Sequence, residues 1–188
     1  MDGLLSIFTS FGLSTSAGLN AYLPLLIVAL TARFTDWIHL GESFDAMTSW
    51  WSIGVLVVLL TVEVLADKIP AIDTANDVIQ TAIRPVAGAI LFAANTNAIS
   101  DIHPVLAMIC GFFLAGTVHV VKATARPVVT ASTGGVANPV LSTVEDTLSA
   151  LTAFLAILLP TLLAILLLMA VLIIGWWLWQ RHQRRIAR

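Results

Sequence analysis

The stretch TVEVLADKIPAIDTANDVIQTAIRP, residues Thr61–Pro85, decides how this chain is organised. It begins in one hydrophobic segment and ends inside the next, yet it is rich in charge. Its charged residues are Glu63, Asp67, Lys68, Asp73, Asp77 and Arg84. Ionisable groups beside hydrocarbon are energetically costly and are usually paired or functional. We therefore expect the functional site of the protein in this stretch.

The composition predicts a membrane protein of one domain. The chain has 188 residues, of which 59% are hydrophobic, and its mean hydropathy is +0.96. Segments such as Ile53–Val62 and Leu148–Leu178 are too apolar for the core of a soluble protein of this size. The net charge of −2 and the scattered basic residues argue against a nucleic-acid partner. The lipid bilayer is the expected partner, and the single cysteine, Cys110, excludes an intramolecular disulfide.

Apolar segments separated by prolines and polar loops predict an all-α bundle of about six transmembrane helices. The expected helices cover residues 4–32, 50–66, 73–94, 104–123, 140–159 and 161–180. The last two are divided at Pro160, because one helix over residues 148–180 would be about 50 Å long, whereas the hydrocarbon core is about 30 Å thick. Residues 1–180 then form one transmembrane domain, and residues 181–188 form a basic cytoplasmic tail.

Two of these helices are expected to be broken. The first contains small and polar residues between Gly12 and Pro24, with Asn20 among them, and the third contains the step from Arg84 to Pro85. A proline inside a helix removes a backbone hydrogen bond and often bends the chain. For the first segment, a broken helix that lines a cavity and a tight helix contact through small residues are equally good interpretations, and the sequence leaves open whether the segment spans the membrane or re-enters.

Local signals also predict where the helices begin and end. Asp73 is expected to cap the third helix and Asn138 the fifth. Pro127 is expected to end the fourth helix, so that a flexible loop follows up to Asn138. Ser142 and Glu145 have the spacing of a capping box in the first turns of the fifth helix.

The basic residues predict the orientation in the membrane. Lys68, Lys122, Arg126 and the four arginines of the tail fall on one side of a six-helix arrangement, whereas Arg33 falls on the other. Basic residues accumulate on the cytoplasmic side of membrane proteins. The first group, and with it both termini, is therefore expected in the cytoplasm.

Polar and charged residues recur at helical spacing on two of the helices. Asp77, Gln80 and Arg84 are spaced i, i+3 and i+7 on the third helix, so they share one face. The fourth helix carries a second set with the same spacing, which is His119, Lys122 and Arg126. Arg84 lies deepest in its helix and needs a carboxylate partner, for which Glu63 is the first candidate.

A weak internal repeat connects the second and fourth helices. TVEV at residues 61–64 recurs as TVHV at residues 117–120, which places Glu63 and His119 at matching positions. In a parallel two-helix repeat the two side chains would face each other. Since histidine titrates near neutral pH, the pair could exchange a proton and couple it to binding. The alternative is that His119 is a hydrogen-bonded packing residue.

These features predict a transporter or channel-like carrier. Its charged site would lie between helices two to five, open to the cytoplasm, and be coupled to protons or cations. Candidate substrate- or ion-binding residues are Asn20, Glu63, Asp67, Asp77, Arg84, His119, Lys122 and Arg126. The expected substrate is small and is polar, ionic or an anionic headgroup, because three basic side chains would meet an anion.

Two other functions remain open. One is a membrane-embedded enzyme that acts on a lipid phosphate with a divalent cation, although the sequence offers no set of catalytic residues. Candidate metal ligands are Glu63, Asp77, His119 and Glu145. The other is a non-catalytic accessory subunit. Its seam of small residues at Ala107, Gly111 and Ala115 would contact another membrane protein, or a second copy of this chain.

Several of these motifs together resemble those of a known family. They are SAGLNAYLP at residues 16–24, the E-x-x-x-D-K-x-P run at 63–70, the Arg84–Pro85 step, the H-x-x-K-x-x-x-R run at 119–126, and Glu145–Asp146. The chain resembles, over nearly its whole length, a family of small bacterial membrane proteins known as a domain of unknown function. The resemblance implies a multi-pass protein of the bacterial inner membrane, and it implies no activity.

Overall fold

The computed structural model describes residues 2–67, 70–96 and 102–186 as an all-helical bundle. Within these residues the α-helices are α1 (Asp2–Leu19), α2 (Tyr22–Phe34), α3 (Trp50–Ala66), α4 (Pro70–Thr96), α5 (Pro104–Thr133), α6 (Asn138–Leu158) and α7 (Pro160–Ile186). A 3-10 helix, Glu42–Thr48, precedes α3. The predicted class, an all-α polytopic bundle, is confirmed. The positive charge expected at Lys68 lies outside the described residues.

Several helices of the described chain are long and apolar enough to cross a membrane. Three qualify on their own, over Asn76–Asn95, Pro104–Thr133 and Asn138–Leu158. The 3-10 helix and α3 qualify together as a fourth, although they meet at an angle of 63°. The helices α1 and α2 and residues 168–181 of α7 are shorter apolar helices. The chain is a membrane protein, and the number of six spans stays a prediction.

Helix α1 lies at the centre of the bundle. It packs against α2, α4, α5, α6 and α7. Leu13 and Ala17 are fully buried on it, and they belong to the main hydrophobic core together with Leu91 of α4. Ser16 binds α6 through a hydrogen bond of 2.7 Å from its hydroxyl to the carbonyl of Ser149. Small residues on α1 thus let α4, α5 and α6 approach closely around a polar site.

The tightest contact in the bundle joins α4 and α5. The backbone of Gly88 on α4 touches that of Gly111 on α5, and a Cβ atom at either position would collide with the facing helix. Ala107 and Ala115 are buried on the same face of α5. The seam of small residues predicted on this helix is therefore present, and its partner is α4 of the same chain.

The first apolar segment is divided at Asn20, inside the stretch where a break was predicted. At the start of α1, the carbonyl of Ser6 accepts a hydrogen bond of 2.7 Å from Asn95 at the end of α4. At the end of α1, the carbonyl of Leu19 accepts one of 3.0 Å from Lys122 of α5. Helix α1 therefore runs from the end of the bundle that holds Asn95 to the end that holds Lys122.

Helix α2 runs back in the opposite direction. Its last turn is joined to the end of the 3-10 helix that precedes α3 by a hydrogen bond of 2.6 Å from Arg33 to the carbonyl of Thr48. Beyond α2, the amide of Gly41 donates to the carbonyl of Ala94 at the end of α4, at 3.0 Å. Residues 4–32 are therefore two antiparallel helices, and the prediction of one broken span is wrong in this respect.

The reversal at Asn20 also changes where the chain ends lie. A cavity of about 420 Å³ at the Asn95 end is lined by Ser6 and Thr9 of α1 and by Pro160, the first residue of α7. Helix α7 packs against α1 and begins beside the start of α1. The first residues of α1 lie at the end of the bundle opposite to Lys122, which was expected on the same side as both termini. The expectation of two cytoplasmic termini does not fit this arrangement.

Two helices continue through a proline where the sequence predicted an interruption. Helix α4 is unbroken at Arg84 and Pro85, and α5 passes Pro127 and ends only at Thr133. A helix tolerates the missing amide of a proline when its neighbours hold it in place. Instead, α5 ends at Gly134, which has a φ of 62° that glycine adopts at no steric cost. The predicted loop over residues 128–138 shrinks to a short turn.

The residues that the sequence predicted as helix caps lie inside the helices in the structure. Helix α4 begins at Pro70, so Asp73 lies within its first turn and not at its cap. Helix α6 is preceded by Ala137, and Asn138 is its first residue. Ser142 and Glu145 form no capping box, because both side chains contact charged residues of other helices. The division of α6 from α7 at Pro160 is confirmed, and α7 continues into the predicted tail as far as Ile186.

Candidate ion-binding site

Charged side chains from four helices meet where α3 ends and α6 begins. We call the set the charged network, and its described members are Glu63, Asp67, Asp77, Arg84, Lys122, Arg126 and Glu145. All are buried except Asp77, whose side chain is 18% exposed. Buried charges in a membrane bundle are stable only when they are paired. Each member accordingly lies within 4 Å of an opposite charge.

Arg84 lies at the deep end of the network, near the middle of α4. Its Nη2 donates to Oε1 of Glu63 at 3.1 Å, which confirms the predicted carboxylate partner. Its Nη1 lies 3.0 Å from Nδ1 of His119 and 3.8 Å from Oδ1 of Asp77. The guanidinium, fully buried, thus stands between two carboxylates and contacts the closer one.

Arg126 holds the centre of the network. Its Nη2 donates to Oε2 of Glu145 at 2.7 Å and lies 3.5 Å from Oδ2 of Asp67, while its Nη1 donates to Oδ2 of Asp77 at 3.3 Å. Asp67 is fixed further by a hydrogen bond of 3.2 Å from Ser142. Arg126 therefore joins acids from three different helical elements, and its positive charge is shared among them.

The break between α1 and α2 is part of the same site. Lys122 pairs with Glu145 at 2.9 Å and also donates to the carbonyl of Leu19, at the end of α1 where a positive charge is favourable. The side-chain oxygen of Asn20 accepts from the first amides of α2, and its amide donates to Asp146 at 2.9 Å. The two sides of the break are thus each held by another helix: Leu19 by Lys122 of α5, and Asn20 by Asp146 of α6.

The hydrogen bonds of His119 fix its tautomer. Arginine can only donate, so the contact with Arg84 requires an unprotonated Nδ1. On the other side, the hydroxyl of Thr81 lies 3.0 Å from Nε2 and gives its hydrogen to the carbonyl of Asp77. That hydroxyl must therefore accept a hydrogen from Nε2. His119 is a neutral imidazole that holds Arg84 in place, and a proton on Nδ1 would break that contact.

Negative charge exceeds positive charge among the described side chains of the network. Four carboxylates face three cationic groups, since His119 is neutral. Three buried acceptor atoms also have no hydrogen-bond donor, and these are Oε2 of Glu63, Oδ1 of Asp77 and Oε1 of Gln80. A buried acceptor without a donor is costly, because it has lost its bonds to water. The network is therefore suited to take up a proton or a cation.

A cleft of about 500 Å³ leads from the surface to the network between α4 and α5. Its polar lining comes from Asp77, Thr81, Arg126, Thr130 and Asn138, and the rest is apolar. Asp77 and Arg126 belong to the network itself, and Thr81 contacts His119. The cleft therefore connects the buried charges with the outside of the bundle.

The residues proposed as metal ligands form no common site. In the described part of the chain, no group of three or more His, Cys, Asp or Glu side chains is placed to hold a metal ion. Glu63 pairs with Arg84, and Glu145 pairs with Lys122 and Arg126. His119 uses its one free nitrogen to accept from Arg84. A divalent cation would have to displace these partners.

The structure brings together all eight side chains that the sequence singled out for binding. Six of them belong to the charged network, and His119 contacts Arg84 of that network. Asn20 binds Asp146, the residue that follows Glu145 of the network. The expected direct pair of Glu63 and His119 is not formed, because Arg84 bonds to both of them. The three cationic side chains already have carboxylate partners, so an anionic headgroup would compete with these acids.

Sequence reasoning missed the neutral members of the site. Thr81, Asn76 and Ser142 each bind a residue of the network through one hydrogen bond. Thr81 could have been found from its spacing, since it follows Asp77 by one helical turn and shares the face of Arg84. Nothing local in the sequence links Ser142 to Asp67, because 75 positions separate them.

Comparison with known proteins places the chain in a family. The chain belongs to the family described as Domain of unknown function (DUF4126), whose model matches residues 7–181. The matched range includes the charged network and the cleft. Comparisons with curated proteins and with solved structures gave no match. The resemblance seen in the sequence motifs is thereby confirmed as membership of this family.

Proposed function

We propose that the protein is a membrane carrier coupled to protons or small cations, with the charged network as its site. The observation that carries the proposal is the excess of carboxylate over cationic groups among the described side chains of the buried network. Ionisable residues inside membrane proteins mark ion pathways and proton relays. The cleft between α4 and α5 provides the access that such a site needs. By the positive-inside rule this end of the bundle faces the cytoplasm, and a bacterial inner membrane is the proposed location.

Glu63 is the proposed proton-binding residue. One of its oxygens accepts from Arg84, and the other has no donor. A proton on Oε2 would make that atom a donor and would equalise negative and positive charge among the described side chains of the network. His119 is less suited to this role than the sequence indicated, because its only free nitrogen faces the guanidinium of Arg84.

The two alternative functions have weaker support. A lipid-phosphate enzyme would need a phosphate group to displace carboxylates from Arg84, Lys122 and Arg126, and it would need a metal site. An accessory subunit, or a homo-oligomer, would use a free seam of small residues, but the seam on α5 is occupied by α4. Turnover of a labelled lipid would favour the enzyme, and a co-purifying membrane protein without ion flux would favour the accessory role.

The proposal is tested by ion flux in proteoliposomes. The purified protein is reconstituted with a pH-sensitive dye inside the vesicles, and gradients of Na⁺, K⁺, Li⁺ or Mg²⁺ are applied. We expect a cation-dependent change of internal pH that is absent from empty vesicles and is lost in Glu63→Gln. Glu42→Gln is the matched control, because Glu42 is an exposed acid far from the network. A folded wild-type protein that moves neither protons nor any of these cations would contradict the proposal.

A further inference from the structure

Arg84 is positioned so that it can bind either of two carboxylates. It lies 3.1 Å from Glu63 and 3.8 Å from Asp77, and the carboxylate oxygen of Asp77 that faces it has no hydrogen-bond donor. Charge-assisted hydrogen bonds are about 2.7–2.9 Å long, so a shift of roughly 1 Å would bring Arg84 onto Asp77. The neutral Nδ1 of His119 accepts from the same Nη1 and supports the guanidinium between the two acids.

The two acids differ in their access to solvent. Glu63 is 1% exposed and has no contact with the cleft, whereas Asp77 lines it. A cation in the cleft would therefore meet Asp77 first, and a proton on Glu63 would act on Asp77 only through Arg84. The two sites are separate in space and share one guanidinium.

Two prolines each leave a backbone carbonyl of a cleft-lining residue without its helical donor. A proline has no amide hydrogen for the carbonyl four residues earlier. Pro85 in α4 leaves the carbonyl of Thr81 without its helical partner, and Pro127 in α5 does the same for Ala123. Both Thr81 and Ala123 line the cleft. Such carbonyls, with carboxylate and hydroxyl oxygens, are the groups with which carriers bind Na⁺.

We propose that the α4–α5 cleft binds a small monovalent cation at Asp77, and that Arg84 makes this binding compete with protonation of Glu63. The inference rests on the proposed carrier function and gives it a substrate class. With Glu63 ionised, Arg84 stays on Glu63 and Asp77 can neutralise a cation. With Glu63 protonated, Arg84 moves to Asp77 and its positive charge repels the cation. One proton is then exchanged for one cation, and the charge of the network is unchanged.

The surrounding charges favour a monovalent ion. The other charged or titratable side chains described around Arg84, Glu63 and Asp77 are Tyr22 on α2, Asp67 after α3, His119, Lys122 and Arg126 on α5, and Glu145 and Asp146 on α6. Arg126 also lines the cleft and donates to Asp77 at 3.3 Å, and its charge is divided among Asp77, Asp67 and Glu145. Asp77 is the one carboxylate among the described residues that line the cleft, and divalent cations usually require more.

Equilibrium binding of radioactive sodium to the purified protein in detergent tests this inference. We expect wild-type binding to weaken as the pH falls. Asp77→Asn should weaken it by roughly tenfold or more at every pH, which corresponds to at least about 1.4 kcal/mol. Glu63→Gln mimics the protonated acid, so its binding should be weak and independent of pH. Asp45→Asn is the matched control, because Asp45 is an exposed acid of the 3-10 helix.

The outcomes separate this inference from the carrier function. Unchanged sodium binding in Asp77→Asn, or a pH dependence that persists in Glu63→Gln, would overturn the inference. The absence of sodium binding in wild type would overturn it as well. If the proteoliposomes still show cation-dependent proton flux, the carrier function stands without this site. If sodium binds as expected and no flux is found, the site stands and the carrier function fails.

Discussion

At the scale of single residues, the buried charges depend on Arg84. Removal of this side chain would leave Glu63 as an uncompensated charge that is 1% exposed. We therefore expect Arg84→Ala to lower the free energy of unfolding by about 3–5 kcal/mol. Arg84→Lys should recover only part of this loss, because an ammonium cannot bind Glu63 and His119 with a planar pair of donors. Unfolding in mixed detergent and dodecyl sulfate micelles measures the difference.

The control for Arg84 is the exposed Arg33. Its side chain lies over the ring of Trp50 at 4.3 Å and donates to a backbone carbonyl. Arg33→Ala should cost less than about 1 kcal/mol, because solvent screens an exposed charge. If Arg84→Ala were as stable as Arg33→Ala, Arg84 would have no partner that matters for stability.

The state of His119 gives a second prediction at this scale. Its hydrogen bonds require a proton on Nε2 and none on Nδ1. Nitrogen NMR of histidine-labelled protein should show this neutral tautomer at neutral pH, and the signal assigned to His119 should disappear in His119→Gln. The exposed His39 serves as the internal reference for the spectra. A His119 that carries protons on both nitrogens while the protein is folded would contradict the assigned contact with Arg84.

At the scale of helices, the contact between α4 and α5 leaves no room for a side chain at Gly88 or at Gly111. A methyl group at Gly88 would collide with Ala115 and would lie 2.7 Å from the carbonyl of Gly111. We expect Gly88→Ala and Gly111→Ala each to destabilise the protein by about 1–3 kcal/mol or more. Gly116→Ala is the matched control on α5, because its nearest new contact is Pro85 at an ordinary 3.6 Å. Equal melting temperatures for Gly88→Ala and Gly116→Ala would show that the helices are further apart.

Periodicity predicted the helices and their buried faces better than it predicted their ends. The faces that carry Arg84 and Lys122 followed directly from the spacing, because side chains at i, i+3 and i+7 share one side of any helix. The continuation of α5 through Pro127 could not be predicted from the spacing, because it depends on packing against α4. The role of Ser142 was also hidden, since a capping box and a long-range hydrogen bond use the same residue types.

At the scale of the whole molecule, the direction of α1 sets the topology. Cysteine labelling in a Cys110→Ala background tests it. A cysteine at Ser43 should label from outside and one at Ser132 only from the cytoplasm, because these exposed positions lie at opposite ends of the bundle. A cysteine at the exposed Leu4 should label from outside as well. Labelling of Leu4→Cys from the cytoplasm would restore the single broken span and contradict the reversal at Asn20.

The sequence could indicate the break near Asn20 but not its geometry. Small and polar residues permit both a kinked span and a full reversal. The choice depends on Asp146 and Lys122, which bind the two sides of the break from distant parts of the chain. The pairing of Glu63 with His119 was wrong for a similar reason, since the repeat that suggested it ignores the arginine of α4 that stands between them.

The most direct test of the central claim is a measurement of protons released when sodium binds. Sodium chloride is added to the purified protein in weak buffer between about pH 5 and pH 8, with choline chloride as the control for ionic strength. Binding is reciprocal, so a cation at Asp77 must favour loss of the proton from Glu63. We predict proton release with sodium and not with choline, and no release in Glu63→Gln or Asp77→Asn. Equal responses to the two salts across this range would contradict the account.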